Sequence, residues 1–352
     1  MLIYISIFAL FAATCFVARN WQQEKIYVVF ALIFLVLFAG TRMEVGCDFQ
    51  AYYYRFQSLP PNETFMEVIQ RGEPGYWIMV YFVKQLGLDY PWMNFFGAMF
   101  FFSCVGLFAL RTPNAALFIA LMLPILVIQL SMSGFRQMMA VGFLMLSLLG
   151  YMDQRRWQVF VFILLGSLFH QSLILFLPLT LAVGHQFSIW RVAIAFALLS
   201  PIALLLSADR IDVYSDRYVE EIYGEMESSG AIFRQGLLLL SAIVFEFYKG
   251  SMKQLFPKQF SLLRLFSLLT FAVTPLVFLS TVVVHRLGYY ILPVQLLTLS
   301  MLPYAIFPNL RSANFGQMLP LGVYAAYILV WFGFARHADL CYIPYKSFLF
   351  AL

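Results

Sequence analysis

Residues 157–184, WQVFVFILLGSLFHQSLILFLPLTLAVG, decide how many times this chain crosses a bilayer. Read whole, the stretch exceeds the roughly 20 apolar residues that span a hydrocarbon core; cut at His170, it becomes two pieces that each fall short of it. The charges elsewhere choose between these readings. Lysine and arginine collect in short loops: Arg19 and Lys25, Arg111, Arg155 and Arg156, Arg191, then Lys249, Lys253, Lys258 and Arg264, then Arg311. Such clusters mark the cytoplasmic side. A single helix through His170 would flip the parity and put several of them outside, so the chain is expected to turn near His170.

The same reading places helices near 2–18, 26–41, 91–110, 115–132, 137–151, 158–169, 171–184, 192–207, 234–248, 265–284, 287–306 and 318–335. The expected fold is all-α: a polytopic membrane protein of about 12 crossings, several short, broken or re-entrant, in one domain over 1–352. Segment 74–88 is apolar but short and contains Lys84, so it reads as a half-embedded or interfacial helix. With 62% of its 352 residues hydrophobic, 11% charged and a mean hydropathy of +0.84, the chain leaves no room for a soluble catalytic module. The net charge of +5 is scattered among apolar spans, which excludes a nucleic-acid face. The first 18 residues lack a basic n-region and a small-x-small cleavage site, so a retained first span is expected. The cysteines Cys15, Cys47, Cys104 and Cys341 show neither CxxC nor metal-ligand spacing and read as unpaired bystanders, although Cys47 and Cys341 share the exterior side.

This topology puts 42–90 and 208–233 outside, where most of the acidic residues lie. Arg42, Arg136, His170 and Arg286 then all fall at the outer end of a span. Charged groups at membrane depth are costly and usually face a partner, a cavity or a substrate, so a shared extracytoplasmic cavity is expected.

Each candidate also has a plain alternative. After Arg42 and Gly46, Asp48 opens a helix on which Asp48, Tyr52 and Arg55 share a face; Asp48 is either a cap or a chemical group, and Arg42 either pairs with Glu44 or points inward. Glu73 precedes Pro74, where an acid complements a helix dipole; Tyr76 and Trp77 suit an interfacial belt or a sugar surface. Arg136 and Gln137 begin a helix, so a guanidinium fork and free N–H groups can meet one anion, or the arginine snorkels outward. His170 is a satisfied polar group or a proton carrier. Arg286 and Tyr290 lie at i and i+4 and address one ligand or anchor the interface.

Taken in order, R-x-x-x-G-x-D-x-x-x-Y (Arg42, Gly46, Asp48, Tyr52), E-P-G-Y (Glu73 to Tyr76), R-Q-x-x-A (Arg136, Gln137, Ala140), F-H-x-S (Phe169, His170, Ser172) and R-x-x-x-Y (Arg286, Tyr290) resemble the EpsG-type branch of the Wzy polysaccharide repeat-unit polymerases. The resemblance implies a glycosyltransferase of the bacterial plasma membrane. It would join undecaprenyl-pyrophosphate-linked oligosaccharides into O-antigen, capsule or exopolysaccharide at the extracytoplasmic face, with a chain-length regulator protein as partner and no cofactor or metal. On that reading Arg136, Arg286 and Arg42 meet the pyrophosphate, with Gln137, Tyr52, Glu73 and Tyr290 around the substrate, and His170 or Asp48 takes the hydroxyl proton. A lipid-linked oligosaccharide flippase or other transporter, and an O-antigen ligase, are the rival readings.

Overall fold

The computed structural model describes residues 1–17, 20–60, 62–184, 229–307 and 309–350. Among these the regular structure is helical. The elements are α1 (Leu2–Thr14), α2 (Trp21–Gly40), α3 (Phe49–Gln57), α4 (Phe65–Ile69), α5 (Pro74–Gln85), α6 (Tyr90–Ala109), α7 (Ala115–Met122), α8 (Phe135–Met152), α9 (Arg156–Ser167), α10 (Leu179–Ala182), α11 (Ser229–Leu255), α12 (Pro257–Val273), α13 (Thr281–Ile306), α14 (Leu310–Gly316), α15 (Met318–Phe334) and α16 (Arg336–Tyr342). Seven helical stretches are long and apolar enough to cross a membrane, and four shorter apolar helical stretches accompany them. The expected span 192–207 lies outside the described residues, as do Arg19, Arg191 and most of 208–233. The other expected spans are largely helical, except that the chain breaks at Leu279–Ser280 inside the expected span 265–284 and α13 starts at Thr281, ahead of the expected 287; the protein is a polytopic membrane protein.

Local chemistry sets where the helices begin. Asn20 and Gln23 form a reciprocal capping box at the start of α2, with Asn20 Oδ1 accepting from the Gln23 amide at 2.9 Å and Gln23 Oε1 from the Asn20 amide at 3.0 Å. Asn114 caps α7 and Ser280 caps α13. After α7 the chain continues as a π-helix, Leu123–Ser131, a rare wide-turn geometry frequently found at functional sites. Both α7 and this segment are buried throughout, at the centre of the bundle. Small residues let the neighbours close in: a Cβ on Gly40 would lie 3.0 Å from Ala98 Cβ and 3.1 Å from Phe95 Cα, which brings the end of α2 against α6.

The predicted turn at His170 is present. Helix α9 stops at Ser167, His170 is extended, and a 3₁₀ segment, Gln171–Phe176, leads back through α10. The polar contacts then separate into two ends. At one, Arg111 pairs with Asp153 at 2.7 Å, Asn114 Nδ2 donates to Cys15 O and Gln317 Oε1, and Glu246 pairs with Arg264 and Lys249; these are the arginine- and lysine-rich loops. At the other end Tyr4 OH donates to Tyr342 O at 2.8 Å, and the C-terminal tail returns along the end of α2, with Phe348 N–H to Thr41 O and Met43 N–H to Lys346 O, each at 2.9 Å.

One expectation is corrected here. Cys47 and Cys341 are joined in a disulfide with their Cα atoms 4.8 Å apart, closing a sequence separation of 294 residues. Pairing was not decidable from the chain because it depends on where the tail returns, and that return is set by the Thr41, Met43 and Gly46 backbone contacts. Cys15 and Cys104 are buried thiols outside this disulfide. Glu44 pairs with Lys346 of the same tail and leaves Arg42 to other partners.

Candidate active site at one end of the bundle

The site is assembled by loops that only particular residues allow. Gly46 has φ +103°, and a Cβ there would stand 1.8 Å from Met132 O. With no side chain, the loop after α2 lies directly on the turn between the π-helix and α8. Its amide donates to Cys341 O at 2.7 Å. Two residues on, the Asp48 amide donates to Ser133 Oγ at 3.2 Å, and that hydroxyl donates to Asp48 Oδ2 at 3.0 Å. Asp48 holds the N-cap position of α3 but its side chain caps no amide; the carboxylate is exposed and tied to α8's turn instead.

One turn along α3, the Tyr52 hydroxyl accepts from the Arg136 amide at 3.3 Å and from Arg136 Nε at 3.4 Å, with the guanidinium 5.8 Å from the ring centre. Arg136 NH1 is paired with the Glu73 carboxylate. Glu73 reaches it from a left-handed backbone, φ 60° and ψ 65°, a conformation that costs a non-glycine residue on the order of 1–3 kcal/mol. The rest of E-P-G-Y explains itself locally. Pro74 opens α5, and the Gly75 amide donates to Leu168 O at 2.9 Å; a Cβ there would lie 2.8 Å from the Phe169 ring. Tyr76 packs in the core between Tyr52 and Phe135, and Trp77 lies under the Arg71 guanidinium. Thus α5 seats on the very turn that presents His170.

His170 Nδ1 is 2.6 Å from Ser172 Oγ and 3.3 Å from Tyr290 OH, and the two hydroxyls are 2.9 Å apart. Among the described residues no hydrogen bond engages Nε2. Both Arg136 and Arg286 interact electrostatically with this imidazole. Gln137 Nε2 donates to Arg286 O at 2.7 Å, tying α8 to α13. The structure therefore brings Asp48, Tyr52, Glu73, Arg136, Gln137, His170, Arg286 and Tyr290 to one end.

Arg42 shares that end but serves a different purpose. It is 3% exposed, and its guanidinium donates to Met132 O at 2.9 Å, Ala39 O at 2.7 Å and Asn94 Oδ1 at 3.2 Å. It braces α2, α6 and the turn before α8 from behind.

Two features went unread in the sequence. Ser172 was legible only as part of F-H-x-S, and its link between His170 and Tyr290 needs α13 in place. Arg234, His285, Tyr289, Gln129 and Tyr327 form a second polar network on the other side of α13. The signal was available, since Arg234 begins an apolar run as Arg136 does. Among the described residues no three His, Cys, Asp or Glu side chains group closely enough to hold a metal ion.

These features describe a polytopic helical membrane protein with cations, a carboxylate and an imidazole gathered at one end. The chain matches the EpsG family over residues 25–347 and belongs to that family of Wzy-like, polysaccharide polymerase-like membrane proteins. No curated protein and no solved structure matches it.

Proposed function

We propose that the protein is a polysaccharide repeat-unit polymerase that transfers a growing glycan from undecaprenyl pyrophosphate to a sugar hydroxyl of another lipid-linked unit. The observation that carries this reading is the gathering of Arg136, Arg286 and His170 at one end, through the Gln137 contact to Arg286 O and the Ser172 and Tyr290 contacts to His170, with Asp48 exposed beside them. The acceptor hydroxyl oxygen attacks the anomeric carbon, the bond from that carbon to the pyrophosphate oxygen breaks, and the pyrophosphate departs with its electrons. The hydroxyl proton passes to a base, His170 Nε2 or the Asp48 carboxylate, and the anomeric centre inverts. Charge grows on the leaving group, so guanidinium donors fixed in place stabilise it more in the transition state than in the ground state. Glu73 holds Arg136 in position before substrate arrives.

An outward-facing site in the bacterial inner membrane follows from two supports. The lysine- and arginine-rich loops lie at the opposite end, and the Cys47–Cys341 disulfide lies at this one, as an oxidising compartment favours. The test is to mix purified protein in detergent with one synthetic undecaprenyl-pyrophosphate repeat unit. A ladder of longer products is expected, lost in Arg136→Ala and Arg286→Ala variants that still fold. Product only on addition of lipid A core, flipping without bond formation, or normal ladders from both variants would overturn the reading.

A further inference from the structure

Helix α13 carries two i, i+4 polar pairs, offset by one residue. Arg286 and Tyr290 attend the His170 turn. His285 and Tyr289 face α11, where Arg234 NH1 donates to Tyr289 OH at 2.5 Å and Gln129 Oε1 at 3.1 Å, and NH2 lies 2.5 Å from His285 Nδ1. The guanidinium carbon is 4.8 Å from the centre of the Tyr289 ring. Behind them Gln129 Nε2 donates to Tyr327 OH at 2.9 Å.

Three properties set this cluster apart from a structural brace. Arg234 is 5% exposed, and every partner it has among the described residues is neutral, although a buried cation is costly without a counter-charge. Its Nε–H is buried with no acceptor, whereas all three nitrogens of the comparable Arg42 are engaged. An imidazole that accepts at Nδ1 carries its proton on Nε2, so His285 adds a second donor. The cluster thus offers a fixed positive charge and undirected donors in the pattern that a phosphate oxygen satisfies. It also lies one residue along the same helix from the groups at the His170 turn, since His285 and Tyr289 adjoin Arg286 and Tyr290. Beside Arg234, Ile232 and Phe233 are 54% and 63% exposed, apolar side chains that a bilayer would cover. That favours a phosphate arriving on a lipid over one arriving from water.

We infer that Arg234, with Gln129, Tyr289 and His285, is a second phosphate seat, which takes the pyrophosphate of the second lipid-linked unit while Arg136 and Arg286 take that of the first. The inference rests on the proposed function, because only a reaction between two lipid-linked substrates calls for two such seats. In the resting protein the seat is closed by its own neutral partners, which exchange for phosphate oxygens on binding.

The test is native mass spectrometry of the full chain in detergent with sugar-free undecaprenyl pyrophosphate as probe. Two bound equivalents are expected for the unaltered protein. Arg234→Gln and Arg136→Gln should each remove one, and the double variant both. Loss of the fork and its charge-assisted bonds should weaken the second equivalent by about tenfold or more. If Arg234→Gln does not fold, Arg234→Lys keeps the charge without the planar fork and should weaken the same equivalent by a similar factor. A single equivalent, lost in Arg136→Gln and untouched by Arg234 variants, overturns this inference and leaves the proposed function standing. No bound equivalent at all overturns both. Displacement of the second equivalent by equimolar phosphatidylglycerol assigns the seat to a bilayer phospholipid and overturns the substrate assignment.

Discussion

The carboxylate of Glu73 closes on the guanidinium of Arg136, 63 residues further along the chain, from a side chain only 4% exposed. The pair fastens the segment 42–90 to the first turn of α8, and a residue in an unfavourable backbone region supplies the acid. Breaking such a pair from one side leaves a charge without its partner, and the change in stability exceeds what the contact itself contributes.

Arg136→Ala, which strands the Glu73 carboxylate at 4% exposure, is therefore expected to destabilise the protein by roughly 3–5 kcal/mol, and Glu73→Ala by less, because the Arg136 it leaves behind is 25% exposed. The double variant should be more stable than the sum of the two predicts, since both charges leave together. Thermal unfolding of the four proteins in one detergent measures the coupling; strict additivity would mean the pair contributes nothing.

Arg42 and Arg136 should behave differently although both are arginines at the same end. Arg42→Ala leaves the carbonyls of Ala39 and Met132 and the Asn94 side chain without their donor, at roughly 1–3 kcal/mol for each buried group. The expected result is loss of folded protein on size-exclusion chromatography. A well-folded Arg42→Ala that lacks only elongation would return Arg42 to the substrate.

His170→Ala is expected to lower the elongation rate by about 10²–10⁴ while binding of a lipid-linked donor changes little, as for loss of a positioned base. Ser172→Ala removes the nearest partner of Nδ1, 2.6 Å away, and should lower the rate by a smaller factor without changing folded yield. Equal rates for both variants and the parent would leave Asp48 as the base.

Gly46→Ala puts a methyl where the Met132 carbonyl already stands and asks alanine to hold φ +103°. The loop must lift, taking Asp48 away from Ser133. A loss of at least about 2 kcal/mol together with loss of elongation is expected, and a variant with parental melting and ladders would show that the loop does not need this approach.

Thiol counting checks the covalent tie. Unfolded in denaturant, the unreduced protein should take up two maleimides, at Cys15 and Cys104, and four after reduction. Replacing Cys47 and Cys341 together by serine should lower stability by roughly 2–5 kcal/mol, read from the melting curve.

Much of the architecture is legible in the sequence itself. Apolar runs of membrane length found the helices, and the side preference of lysine and arginine found the turn at His170, because both rules act on composition over many residues. The clustering of Arg136, His170 and Arg286 at one end followed from the same parity. What local pattern could not give was pairing. Whether Arg42 meets a substrate or three protein acceptors depends on Met132 and Asn94, which belong to elements far from it in the chain. The disulfide depends on the returning tail, and the Arg234 network on α11, α13 and the π-helix meeting. Spacing left Asp48 open between a helix cap and a chemical group, and its carboxylate accepts from a hydroxyl of the neighbouring turn and caps no helix amide.

The offset of the two pairs on α13 carries a consequence for how this sequence tolerates length changes. Consecutive residues of an α-helix are rotated by about 100°, so deleting one residue just before Thr281 would swing the helix by that angle. Arg286 would then come round to where His285 stands, and Leu287 would take the place of Arg286. Insertions and deletions near Leu279 and Ser280 should thus be far more damaging than substitutions there, a form of fragility that belongs to the helix's phase and to no single side chain.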